Sequence, residues 1–97
     1  MTLRGVTVSI EIAHRGVNGI MHGHSLSLEV WTSLDVDLDV FSADVRDAVA
    51  FMDHAPLEDT IQARTFEDVA ERVLTETRAD RVVLRLPSKG YLVEVHA

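Results

Sequence analysis

Three histidines carry the clearest chemical potential in this chain. His14 ends a run of alternating apolar and polar residues, and His22 and His24 form an HGH pair at the start of another. Imidazole nitrogen is a good ligand for zinc and also suits cobalt, nickel and iron. Three neutral imidazoles converging on one ion, with a fourth position open to water or substrate, describe a catalytic rather than a structural zinc centre. Gly23 leaves room beside such ligands. The spacing alone also fits a plainer reading, in which each histidine is a partly exposed polar end to an apolar face, because HxH pairs are weakly specific.

Convergence depends on the elements that carry these residues. Val6, Val8, Ile10 and Ile12 alternate with Thr7, Ser9 and Glu11, the period of a half-buried strand, and His14 continues the even register. The period resumes in His22, His24, Leu26, Leu28 and Val30, with Gly23, Ser25, Ser27 and Glu29 on the opposite face. The short segment RGVNGIM between them, containing Gly16, Asn18 and Gly19, suits an antiparallel hairpin rather than a helical crossover. In such a hairpin the end of one strand lies beside the start of the next, which brings the three imidazoles to one end of the sheet.

The remaining elements follow from caps and periods. After the acidic stretch LDVDLD, Ser42 is the expected N-cap of a helix on which Val45, Ala48, Val49 and Met52 share a face. That helix is expected to end near Ala55-Pro56. Thr65 caps a second helix, with Asp68 at the capping-box position and Phe66, Val69, Ala70, Val73 and Leu74 as its apolar stripe. RVVLRL and YLVEV flank Pro87-Ser88-Lys89-Gly90, a turn signal that closes a second hairpin. The order predicts an α+β fold: a four-stranded antiparallel sheet (β-β-α-α-β-β) with both helices on its apolar face. The other face, with Thr7, Ser9, Glu11, Ser25, Ser27, Glu29, Trp31 and Arg85, is too polar for a second hydrophobic layer and suits a wet barrel interior.

Composition sets the outer limits. The 97 residues fit a single domain spanning 1–97, and 46% hydrophobic with 26% charged residues is a globular balance. So short a chain buries a modest fraction of its surface, which favours added stability from subunit contacts or bound metal. A formal net charge of −7, with nine scattered basic residues, excludes a phosphate-tracking surface and hence nucleic acid as a partner. Without cysteine, any metal must be held by His, Asp or Glu. No stretch approaches the ~20 apolar residues of a membrane span, and the N-terminus alternates rather than forming a signal-peptide core, so the chain reads as cytoplasmic.

Four blocks in order, AHR at 13–15, HGHSLSLEV at 22–30, MDHAPLED at 52–59 and RTFED at 64–68, resemble the 6-pyruvoyltetrahydropterin synthase and 6-carboxytetrahydropterin synthase family. The resemblance implies the tunnelling fold, in which trimers close their sheets into a barrel and two trimers usually stack into a hexamer. It further implies that His14, His22 and His24 hold zinc, which polarises oxygens on a pterin side chain, and that Asp53 and His54 are the proton-transfer pair of a carbon–oxygen lyase. An adjacent carboxylate can orient His54 and stabilise its cation. A histidine near a helix C-terminus is also favourable without any such role.

Two positions depart from the family pattern. The family's cysteine base, commonly four residues before HGH, corresponds to Asn18, whose amide cannot abstract a proton. The family's pterin-anchoring glutamate corresponds to Leu86, followed by Pro87 where threonine is usual; losing that charged acceptor costs about 1.5–3 kcal/mol of recognition. The sequence therefore supports a zinc-dependent lyase acting on a pterin or related small polar substrate. The alternative is a non-catalytic metal-bearing homologue serving as an oligomeric binding or structural protein.

Overall fold

The alternating runs form one long antiparallel hairpin, β1 (Arg4–Arg15) and β2 (Met21–Thr32), in register from Arg4↔Thr32 to Arg15↔Met21. The structure, a computed structural model, describes residues 2–15, 19–50, 52–56 and 65–97, with the side chains of residues 14, 15, 21, 22, 55 and 56 outside the description. Even-numbered Val8, Ile10, Ile12, Leu26, Leu28 and Val30 are all buried, as the period requires. The chain then forms α1 (Leu38–Ala50), β3 (Ala55–Pro56), α2 (Phe66–Thr77), β4 (Arg81–Leu86) and β5 (Tyr91–His96). The sheet order is β3-β1-β2-β4-β5.

The four long strands are antiparallel with two helices, as expected from the sequence. The short β3 is an addition, parallel to β1 through Ile12↔Ala55 and Ala13↔Pro56. Two residues are too few to show a period, and a proline at a sheet edge gives up no interior ladder bond. The closing turn is where the sequence put it: Lys89 N–H donates to Leu86 O at 3.1 Å, and Gly90 adopts a positive φ of 69°.

The start of α1 corrects the sequence reading. The helix begins at Leu38, and Asp37 rather than Ser42 caps it: Asp37 Oδ1 accepts from Asp39 N–H at 2.8 Å and Val40 N–H at 3.2 Å. The physical reason is Phe41, which is buried one helical repeat before Val45 and Val49 and extends the inner stripe backwards. Asp37 then supplies a cap at least as good as serine. The helix is described to Ala50, and residues 52–54 ahead of the proline form a turn that docks against β1. Helix α2 follows expectation: Thr65 Oγ1 accepts from Asp68 N–H at 3.2 Å, and Val69, Ala70, Val73 and Leu74 are buried. Arg78 ends it in the left-handed region.

Both helices cover the even face, and the odd face carries polar bonds between strands and along β2. Ser25 Oγ donates to the Glu11 carboxylate at 2.7–2.8 Å, Arg85 pairs with Glu29, and Trp31 Nε1 donates to Glu29 Oε1 at 3.1 Å. The Trp31 indole lies across Gly5, where a Cβ would sit 2.6 Å from the ring. Among the described residues no helix is long and apolar enough to cross a membrane.

β4 pairs with β2 only over Ser27–Trp31. Beyond Ser27, β1 and β2 continue as a two-stranded arm toward His14 and His22, joined on one side by β3.

Candidate metal centre

Strand pairing places the three histidine positions together at the end of that arm. His14 lies directly opposite His22, and His24 is the next even position of β2, opposite Ile12. Directly opposed residues have Cα atoms about 4.5–5.5 Å apart, and alternate residues along a strand are separated by about 6.5–7 Å. Leu26, the even position after His24, is in the core. His24 is therefore the first position past the apolar layer. Its ring is half-buried and meets Phe66 edge to face, with ring centroids 5.9 Å apart and planes at 82°.

The side chains of His14 and His22 lie outside the described residues, as does Asn18. Among the described residues no group of three or more His, Asp or Glu side chains is placed to hold a metal. Among the described residues a Cβ on Gly23 would meet only the Ile12 carbonyl oxygen, at an ordinary 3.8 Å.

Asp53 and His54 occupy the turn between α1 and β3, where they form a bonded pair. Asp53 Oδ1 accepts from the Glu11 N–H at 2.8 Å and lies 3.0 Å from His54 Nδ1. The His54 N–H in turn donates to the Glu11 carbonyl. One residue of β1 thus offers both of its outward-facing backbone groups to the turn and fixes it in place. His54 has a φ of 60°, a left-handed conformation uncommon for a residue with a side chain, maintained here by the two bonds to Glu11. Nδ1 is thus held beside the carboxylate, and the His54 side chain is 75% exposed.

The end of the turn and His24 share one level of the sheet, which reads Ala55, Ile12, His24 across β3, β1 and β2, with His14 and His22 two residues further along the arm. Two strand spacings, about 10 Å of backbone, separate Ala55 from His24. Asp53 also forms one wall of a surface cavity of about 300 Å³ that has Thr7, Ser9 and Arg46 as its other polar lining.

Leu86 pairs with Tyr91 at the end of β4 and is 1% exposed, a core residue whose side chain has no acceptor to offer. Two contributors were not singled out by sequence reasoning. Glu11 reads as one more polar alternate of β1, because nothing in its spacing reveals that its backbone receives the α1–β3 turn. Phe66 reads as part of the α2 apolar stripe, and its contact with His24 emerges only from the packing of α2 against the sheet.

No family model and no curated protein sequence matches the chain. Among solved structures, that of 6-pyruvoyl tetrahydropterin synthase from Caenorhabditis elegans superposes with a TM-score of 0.85, covering 99% of this chain and 95% of that one at 16% sequence identity. The fold of this chain is therefore the 6-pyruvoyl tetrahydropterin synthase fold, carried by a strongly divergent sequence.

Proposed function

We propose that the chain is a zinc-dependent lyase of the 6-pyruvoyltetrahydropterin synthase type, acting in the cytoplasm as a single domain over residues 1–97 on a pterin or a related small polar substrate. The observation that carries this reading is the bonded Asp53–His54 pair, docked on the strand that also bears His14 and level with His24. The donor set suits the metal: three imidazole nitrogens on neighbouring even positions match the ligand type and the spacing of a three-histidine site. A zinc ion held by His14, His22 and His24 supplies Lewis acidity toward a substrate oxygen.

The protein's own groups do the rest. His54 Nε2 takes or returns a proton, and Asp53 holds Nδ1–H and stabilises the imidazolium that forms, a role worth about 10²–10⁴-fold in rate. Glu11 fixes the carboxylate through its backbone N–H. With Asn18 at the position of the family's cysteine, this pair is left as the carrier of proton transfer. The cavity beside Asp53 offers space for a small polar molecule. Copies of the chain are proposed to assemble through β5 at one sheet edge and, at the other, the stretch of β1 before Ile12 that the short β3 leaves uncovered; the exposed Tyr91 and Leu92 of β5 and the polar odd face support a closed ring.

The buried Leu86 favours a second reading, a non-catalytic homologue that keeps the metal and the oligomeric scaffold as a binding or structural protein. Metal analysis of untagged protein, with a thermal-shift and turnover panel of pterins, separates the two. Stoichiometric zinc with turnover that disappears in His54→Ala supports the lyase. Stoichiometric zinc with pterin binding and no turnover supports the second reading, and absence of bound metal contradicts both.

A further inference from the structure

We infer that Phe66 is a positioning residue for the His24 imidazole, holding it in one orientation before a metal arrives. The inference rests on the proposed metal centre and adds to it a residue outside the ligand set.

Pairing with Ile12 fixes the backbone of His24, but a strand-borne histidine still has two side-chain torsions to settle. A ring contact from the neighbouring helix bears on the plane the His24 imidazole adopts. That contact is Phe66, at 5.9 Å between centroids and 82° between planes, the edge-to-face geometry that aromatic quadrupoles favour.

Phe66 is itself well anchored. It is the first residue of α2, directly after the Thr65 cap that binds Asp68 N–H, and it packs against the hydrophobic core. The benzene ring thus transmits the rigidity of a capped helix to a ligand at the margin of the core. A ligand already in its bound orientation loses less freedom on metal binding, which raises affinity without a new bond to the metal.

Zinc titration of the full chain compares wild type with Phe66→Leu and Phe66→Met, which keep an apolar side chain without a ring, and with Phe66→Tyr, which keeps the ring. The expected result is zinc affinity weakened about tenfold in the ring-free variants, at the low end of the range for groups that orient a metal ligand, and restored in Phe66→Tyr. In the metal-free protein the His24 ring protons should carry an aromatic ring-current shift that Phe66→Leu abolishes and Phe66→Tyr preserves. Equal affinity in wild type and a folded ring-free variant, or no ring-current shift in wild type, overturns this inference alone. Failure of wild type to bind zinc overturns it together with the metal centre on which it rests.

Discussion

The β1–β2 hairpin has two ends with very different neighbours. From Arg4 to Ile10 and from Leu26 to Thr32 it lies in the body of the molecule, with both helices over its even face and, from Ser27 to Trp31, β4 alongside β2. Leu28 and Val30 are completely buried there. From Glu11 to Arg15 and from Met21 to Ser25 it is an arm that β4 does not reach, and it carries His14, His22, His24 and the docking point for Asp53–His54. Burial at one end supplies stability, while at the other end, beyond Ile12 and Leu26, the even positions pass from apolar residues to His14, His22 and His24. On the proposed function, the same period-two pattern serves packing at one end and ligand placement at the other.

If that division is right, substitutions at the two ends should have separable effects. The largest is expected at the arm: His54→Gly should lower turnover of an accepted substrate by about 10²–10⁴-fold while leaving stability within about 0.5 kcal/mol, because glycine adopts the observed φ without strain. Denaturant titration and steady-state kinetics on one preparation check both halves. Next, Leu28→Ala in the body should cost about 2–5 kcal/mol of stability and leave zinc affinity of the folded protein unchanged. A fall in zinc affinity without unfolding would break the division.

A smaller effect is expected at Gly5→Ala. The added methyl meets Trp31 at 2.6 Å, so the indole must shift, at about 1–3 kcal/mol, with a change in Trp31 fluorescence as its local readout. The smallest concerns acid stability. The Ser33 N–H bonded to Asp80, at 2.6 Å, holds that carboxyl below its ordinary value of 3.8. A depressed folded value means that this contribution is present above the ordinary carboxylate range and is lost as pH falls through the folded value. Asp80→Asn should therefore lower stability slightly near neutral pH, where the carboxylate contribution is present, and flatten the acid limb of the stability curve, so that variant and wild type converge at low pH.

The body was the more legible end. Alternation in Val6–Ile12 and Leu26–Val30, the Thr65 cap and the Pro87–Gly90 turn are local signals, and each element formed where its signal lay. Helix α1 was displaced because Asp37 and Ser42 are both competent caps and only the burial of Phe41 decides between them. At the arm, residue types were legible and their partners were not. The Asp53–His54 bond joins sequence neighbours, but the grip of Glu11 on that turn spans 42 residues and depends on how α1 returns to the sheet. The His24–Phe66 contact likewise needs the packing of α2 before it exists.

The central claim, that one ion is gripped by His14, His22 and His24, is tested most directly by X-ray absorption at the zinc edge on the zinc-loaded full chain. The expected spectrum has three imidazole nitrogens at about 2.0–2.1 Å with one further light ligand, and it loses an imidazole in each single His→Ala variant. A shell of oxygens without imidazole scattering, unchanged by those substitutions, would contradict the site.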